Sequence, residues 1–213
     1  MNDMTLFGLF ILSGYLIGGI PFGFLIGKMR GVDVRTVGSK NIGATNVYRT
    51  VGHKWGFLAF FCDFLKGFLP TCAAVWTARH SPSLLPDLSQ DVLANLPVWV
   101  GLACVVGHTL TPYMKFKGGK GVATAFGMLM AQIPWLVLPA FGIFVITVWI
   151  SHYISLGSML AAGILAIAIW IPTPLAHPTL PLQIVMTLIG IFVIYKHKSN
   201  IVRLVKGCEN KIY

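Results

Sequence analysis

The chain has 213 residues, of which only 16 are basic and 6 acidic, against 56% hydrophobic residues and a mean hydropathy of +0.78. Charged residues make up 10%, where a soluble domain carries about a quarter. That deficit excludes an ordinary cytosolic enzyme, a disordered chain and a nucleic-acid-binding domain, in spite of the formal charge of +10. From Gly121 to Tyr195 no Asp, Glu, Lys or Arg occurs over 75 residues, which at about 20 apolar residues per crossing is several spans. Barrel strands would alternate apolar and polar residues, whereas Phe141–Ile150 and Met159–Ile171 run apolar without alternation. Helices are the remaining way to satisfy a backbone in lipid. The expected fold is all-α, a polytopic membrane helix bundle.

In chain order, Met4–Gly27 lacks charge and is long enough to span. Its leader is Asn2-Asp3 rather than a basic n-region, so it reads as an uncleaved helix. Lys28, Arg30, Arg35, Lys40, Arg49 and Lys54 follow in one loop. Phe57–Ala78 comes next, interrupted by Asp63 and Lys66, and then a segment with Arg79, Asp87 and Asp91. Asn95–Met114 is the third candidate span and leads into Lys115, Lys117 and Lys120. Breaks at Pro134/Pro139, Ser151–Ser155 and Pro172–Pro181 divide the uncharged block into four crossings, and the tail then carries Lys196, Lys198, Arg203, Lys206 and Lys211. These three basic segments hold 14 of the 16 cations, and the positive-inside rule sets all three on the cytoplasmic face. Seven transmembrane helices result, with the N-terminus outside, the C-terminus cytoplasmic and the Arg79–Asp91 loop outside. Five is the runner-up, because Val122–Ile133 and Ala140–Ile150 are short for full spans. The chain, 1–213, reads as one domain. Cys62, Cys72, Cys104 and Cys208 form no CxxC pair and read as packing thiols.

Function in such a chain lies in its few polar clusters. The first is Gly38-Ser39-Lys40-Asn41-Ile42-Gly43-Ala44-Thr45-Asn46, ending in Arg49. Glycine lets backbone N–H groups approach an anion, Ser, Thr and Asn add neutral donors, and Arg49 can clamp a phosphate through two parallel bonds. The alternative is a solvated connecting loop. The second is Phe116-Lys117-Gly118-Gly119-Lys120-Gly121-Val122-Ala123-Thr124, preceded by Gly107-His108. Three glycines and two lysines leading into an apolar helix near Val122 suit anion capture at a helix N-terminus. The alternative is a tight basic turn, and His108 by itself fits a hydrogen-bonded packing residue. It is no Walker loop, since Gly rather than Ser or Thr follows Lys120 and no strand precedes it.

The third cluster is the tail: His197, Asn200, Arg203, Gly207 and Glu209. If the last helix continues, His197 and Asn200 are neighbours on one side and can orient a substrate hydroxyl. A juxtamembrane basic end holding anionic headgroups fits equally well. Asp63 and Lys66 read as a pair neutralising each other inside a span. Ser155 and Ser158 either join the phosphate site or cap a helix. No carboxylate pair stands in the spans to hold a catalytic metal, so no metal and no cofactor is expected. No His is followed five positions later by Asp, and no Gly-x-Ser-x-Gly occurs. A transporter or channel for a phosphorylated anion is the rival class, and a lipid-binding scaffold a third.

These residues together resemble the PlsY family, acyl-phosphate-dependent glycerol-3-phosphate acyltransferases of bacterial membranes. The resemblance rests on Gly38-Ser39-x-Asn41-Ile42-Gly43-Ala44-Thr45-Asn46-x-x-Arg49 and on Gly107-His108 with Phe116–Thr124. It rests also on His197-x-x-Asn200-Ile201-x-Arg203-Leu204-x-x-Gly207-x-Glu209. Softer agreements are Ile20-Pro21-Phe22-Gly23, Asp63-x-x-Lys66-Gly67 and Ser155-Leu156-Gly157-Ser158, whereas Lys198 and Gly19 depart from the usual Arg and Ser. The resemblance implies a seven-helix enzyme of the bacterial inner membrane with its site facing the cytoplasm. It would transfer an acyl chain from acyl phosphate to the sn-1 hydroxyl of glycerol 3-phosphate, giving lysophosphatidic acid and phosphate. It assigns catalytic roles to His197, Asn200 and Lys120. Substrate binding falls to Ser39, Asn41, Gly43, Thr45, Asn46, Arg49, His108, Lys117, Gly118, Gly119, Gly121, Ser155, Ser158 and Arg203. The partners implied are the two phosphorylated substrates and membrane lipid, with no nucleic acid, and a substrate phosphate oxygen takes the hydroxyl proton.

Overall fold

The structure is a computed structural model and describes residues 3–80, 83, 88–173 and 177–212. Much of the expected outer loop (81, 82 and 84–87) and part of the Pro172–Pro181 break (174–176) lie outside the described residues. The described residues form eleven α-helices and a 3-10 turn at Pro112–Met114, in two compact units, Met1–Gln132 and Ile133–Tyr213.

The first unit holds α1 (Asp3–Gly19), α2 (Phe22–Met29), α3 (Ala44–Thr50), α4 (His53–His80), α5 (Gln90–Ala94), α6 (Leu96–Thr109) and α7 (Val122–Gln132). The expected continuous helix Met4–Gly27 is broken at Ile20-Pro21. Proline has no N–H to donate and its ring clashes with the preceding turn. A break inside lipid needs its exposed carbonyls answered. Lys66 Nζ, from α4, donates to the Ile20 carbonyl at 2.7 Å.

Small residues set the helix contacts of this unit, since lipid gives no hydrophobic drive between helices and association rests on close packing. Gly14 and Gly18, one turn apart on α1, face Val100 and Cys104 of α6. Gly67 of α4 meets Thr124 of α7, and Gly127 of α7 meets the Phe64 carbonyl of α4. At one end, Ala74, Leu93, Leu96 and Val100 pack with Leu6, Phe7 and Phe10, and Asp3 accepts the Leu88 N–H at 3.2 Å. At the other end the segment between α2 and α3 has a core of its own. Ile26, Val34, Ile42, Val47 and Ala59 are buried there, with Phe24 and Trp55 against them. The turn after α6 leaves from this same end, tied by Thr111 Oγ1 to the Gly19 carbonyl (2.6 Å) and by Tyr15 to the Leu110 carbonyl (2.8 Å). Two of the three basic segments therefore share one end of the unit.

The second unit holds α8 (Pro134–Ser151), α9 (Ile154–Ala168), α10 (Leu180–Lys196) and α11 (Lys198–Val205). Proline opens α8 and a second proline, Pro139, lies inside it. The expected break at Pro134/Pro139 is thus a helix start at Pro134 only, and the helix is 18 residues rather than the short Ala140–Ile150. At 1.5 Å per residue that is about 27 Å, close to the hydrocarbon thickness.

Four stretches are long and apolar enough to cross a membrane: Asp3–Met29, His53–His80, Leu96–Met114 and Pro134–Ser151. A fifth is α10 taken with α11, bent by 52°, and α7 and α9 are apolar but shorter. Val122–Tyr195 is accordingly folded as four helices.

A Cβ at Gly18 would strike the backbone of Cys104, whereas Gly8 on the same helix faces open space. Gly18→Leu forces α1 off α6 and should cost at least the ~1–3 kcal/mol typical of overpacking, read as a lowered Tm in detergent. Gly8→Leu should melt as the wild type does. Equal melting of both variants would contradict the packing described.

Candidate active site

The loop from Gly38 to Arg49 is pinned rather than solvated, and Asn46 does the pinning. Its side chain is 1% exposed. Its Oδ1 accepts the Ser39 N–H at 2.9 Å, and its Nδ2 donates to the Val34 carbonyl at 2.8 Å and the Val37 carbonyl at 3.2 Å. Gly38 and Lys40 take left-handed backbone (φ +57° and 58°) on either side of Ser39, which lets the loop fold over this amide. Asn41 Oδ1 accepts the Gly43 N–H at 2.8 Å, and Gly43 is the N-cap of α3, with Thr45 in its first turn and Arg49 in its last. Ser39 stays exposed while Asn41, Thr45 and Arg49 are half-buried. Sequence reasoning offered Asn46 as a ligand donor; its amide is committed to the loop backbone. Of the loop's cations, Arg35 is bound to Asp33 at 2.6 Å and lies over Phe24, and Arg30 lies over Trp55. Arg35, donating to the carboxylate from its guanidinium and from its backbone N–H, lowers the Asp33 carboxyl to about 2.

The glycine turn is built differently from the expectation. The N–H groups of Gly118 and Gly119 do not face outward as bare donors. They are bonded to the carbonyls of Thr109 and His108, each at 3.1 Å. A Cβ at Gly118 would strike the His108 carbonyl, and one at Gly119 the His108 imidazole. These glycines are there for close approach to the end of α6. Gly121 (φ +81°) then turns the chain into α7, which starts at Val122 as expected. The first-turn amides of α7, which have no intrahelical partner, remain the backbone donors of this segment. Lys117 is exposed and Lys120 half-buried beside them.

Under this turn is a buried charge network. Asp63 and Lys66, on α4, pair at 2.7 Å with side chains 3% and 2% exposed. His108 Nδ1 lies 3.7 Å from Asp63 Oδ1. The neutralising pair expected from sequence is present. Its third member, His108, links it to the Gly119 N–H, a connection that spacing alone could not give.

In the second unit the hub is Glu209. Its Oε1 accepts from Asn200 Nδ2 (2.7 Å) and Ser155 Oγ (3.0 Å), and its Oε2 accepts from Arg203 Nε (2.6 Å). Burial works to raise the Glu209 carboxyl, but the bonds from Asn200, Arg203 and Ser155 together outweigh it and hold it below the usual carboxylate range. Ser155 is therefore not a helix cap; the residue at the N-cap of α9 is Tyr153. Ser158 is buried one turn further on. The last helix does not continue straight: α10 ends at Lys196 and α11 turns away at His197. His197 is buried, with Nδ1 2.7 Å from the Val193 carbonyl. Sequence reasoning placed Glu209 in the tail cluster but gave it no catalytic or binding role. The signal for it was its place as the lone acid among five basic residues of the tail.

Because its folded value is depressed, Glu209 contributes stability that is fully present above the ordinary carboxylate value of 4.5 and is lost as pH falls through the lowered one. Glu209→Gln should lower the Tm at neutral pH. The gap to wild type should begin to close only below 4.5. A gap that is independent of pH would refute the charged hub.

The glycerol-3-phosphate acyltransferase family model matches residues 8–207. The glycerol-3-phosphate acyltransferase of Trichlorobacter lovleyi is 45% identical over 206 residues, 96% of this chain and 97% of that protein. The enzyme of the same name from Acholeplasma laidlawii is 38% identical over 216 residues, 95% of this chain and 91% of that protein. A crystal structure of PlsY (YgiH), an integral membrane glycerol 3-phosphate acyltransferase in its glycerol 3-phosphate form, superposes with a TM-score of 0.82. It is 38% identical and covers 96% of this chain and 94% of that one. The same protein in its lysophosphatidic acid form gives 0.78 at 37% identity. With its apolar helices, its two pinned loops and its Glu209-centred tail, this chain belongs to the PlsY family of integral membrane glycerol-3-phosphate acyltransferases.

Proposed function

We propose that the protein transfers a fatty acyl group from acyl phosphate to the sn-1 hydroxyl of glycerol 3-phosphate. The hydroxyl oxygen attacks the acyl carbonyl carbon, the bond from that carbon to the phosphate oxygen breaks, and lysophosphatidic acid forms. The hydroxyl proton ends on a phosphate oxygen. An acyl phosphate is a mixed anhydride with a good leaving group, so the chain's own residues need only bind, orient and stabilise charge. The observation that carries the reading is that two cation- and hydroxyl-bearing loops leave one end of the first unit, each held by buried hydrogen bonds. Preorganised donors of this kind stabilise developing charge without reorganising.

Ser39, Arg49, Lys117 and Lys120, with the first-turn amides of α7, bind phosphate. Asn41, Gly43, Thr45 and Asn46, and likewise His108, Gly118, Gly119 and Gly121, shape the loops that present them. His197 and Asn200 orient the glycerol hydroxyls, and Glu209 holds Asn200, Arg203 and Ser155 in place. Holding hydroxyl and carbonyl in register supplies on the order of 7–11 kcal/mol when the geometry is good. The chain makes seven crossings of the bacterial inner membrane, with the N-terminus outside and the site and C-terminus in the cytoplasm. Seven apolar helical stretches support that count, and 14 of 16 cations in three segments support the orientation.

Purified protein given palmitoyl phosphate and labelled glycerol 3-phosphate should form labelled lysophosphatidic acid. Lys120→Ala, Arg49→Ala and Asn200→Ala should each lower the rate about 10²–10³-fold. Uptake of label into vesicles with no lysolipid formed would favour a transporter, and near-normal rates in all three variants would overturn the assigned roles. A membrane-impermeant maleimide should label the exposed Cys208 in inside-out vesicles only. Labelling in right-side-out cells would reverse the orientation.

A further inference from the structure

The helix after the last span carries a feature that acyl transfer does not require. Along α10 the exposed side chains Ile184, Leu188, Ile191 and Tyr195 form one stripe, as residues three and four apart do on a helix. Such a stripe on a membrane span faces lipid. It does not stop at the end of α10. On α11, Lys198, Val202 and Val205 continue the spacing, and Ile201 flanks them. Val202 is 52% and Val205 84% exposed. Asn200 is buried on the other side of α11, where it and Arg203 are bonded to Glu209. The bend of 52° at His197 turns α11 off the line of α10.

Apolar side chains on the outer face of an eight-residue helix, next to a span, are costly in water and favourable at an acyl-chain boundary. The cations sit to match. Lys196 and Lys198 lie over the rings of Phe192 and Tyr195 (5.5 and 5.2 Å), and Lys206 and Lys211 follow the helix. Against them the tail has one acid, Glu209, already bonded by Arg203. An amphipathic helix with lysines at its margins lies in the headgroup plane, and clusters of lysines beside a span attract anionic lipid.

We propose that α11 is an interfacial helix seated on an anionic bilayer surface: Ile201, Val202 and Val205 enter the acyl-chain boundary, while Lys196, Lys198, Lys206 and Lys211 hold anionic headgroups. Its inner face holds Asn200, so seating α11 fixes a residue of the site, and this consequence rests on the function proposed above. The partner is a lipid surface, recognised by negative charge and hydrocarbon together. Occupancy of the seated state depends on anionic lipid content and is weakened by salt, since surface charge is screened.

The test uses the full chain with Cys62 and Cys72 changed to Ser, a bimane on the exposed Cys208, and nanodiscs of phosphatidylcholine with or without phosphatidylglycerol. Quenching by a shallow nitroxide lipid should rise when phosphatidylglycerol is present. Lys198→Gln/Lys206→Gln should lower the seated-to-unseated ratio about 25-fold, at about fivefold per lysine, and Val202→Ser/Val205→Ser should lower quenching in both lipids. Acyl transfer should follow the quenching, with basal activity in phosphatidylcholine unchanged by the lysine changes. Quenching that is the same in both lipids and all variants overturns the proposal. Quenching that responds while no acyl transfer is seen upholds the interfacial helix and counts against the enzymatic reading alone.

Discussion

Two opposite charges buried inside a membrane-spanning helix need partners, and the partners of Asp63 and Lys66 explain much of the first unit. A lone charge at mid-span costs about 2.5–3.5 kcal/mol on insertion scales. Pairing at 2.7 Å offsets part of that. The remainder is met by what Lys66 does for α1: Pro21 breaks the first span, and the ammonium donates to the Ile20 carbonyl at the break. Cations are favoured at a helix C-terminus by the dipole as well. The arrangement is reciprocal. Removing Asp63 would leave an uncompensated buried cation, a change of the kind that costs about 3–5 kcal/mol. Removing Lys66 would leave both the carboxylate and the broken helix end unanswered.

From that pair the connection runs outward to the loops. His108 stands 3.7 Å from Asp63 by its side chain, and its carbonyl receives the Gly119 N–H. The residue next to Gly119 is Lys120. The buried charge pair thus connects, through the His108 side chain 3.7 Å away, the hydrogen bond from the Gly119 N–H to the His108 carbonyl and one peptide link, to the cation proposed for substrate phosphate. The loop before α3 reaches the same kind of rigidity by another route, a small apolar core under Val34, Ile42 and Val47 with the Asn46 amide stitched to the backbone above it. Ordering a loop on binding costs affinity, and both loops proposed to bind substrate are already ordered by internal contacts.

Much of this was legible in the sequence and some was not, for identifiable reasons. Charge depletion and the placing of 14 cations in three segments gave the membrane class and the helix order, because insertion energetics act on composition. The helix start at Val122 was readable from the glycines before it, whereas Pro134 and Pro139 read together as a break, because a proline in the first turn of a helix and one in a loop look alike in sequence. The break at Pro21 carried its own signal, a proline in an uncharged run, yet hydropathy averages over it. The roles of Gly118, Gly119 and Asn46 were not readable. Glycine spacing is the same whether its amides face an anion or a neighbouring carbonyl, and only the carbonyls of His108 and Thr109 decide between them. Ser155 and Glu209 are 54 residues apart, and no local pattern joins them.

The commitment of the Gly118 and Gly119 amides changes how phosphate is to be recognised. A nest of bare N–H groups would bind a dianion through fixed dipoles. Here those dipoles face carbonyls at the end of α6, so in the proposed function recognition passes to side chains and to the first turn of α7. Side chains bind with more entropy to lose but with full charge, and charge-assisted bonds are about twice as strong as neutral ones. Lys120 meets that requirement only if its stem is held, and it is half-buried directly after the pinned Gly119. On that proposal the glycines serve recognition by bringing the turn close against His108, which places the lysine; a larger residue at either position would strike His108 and move the turn that carries the cation.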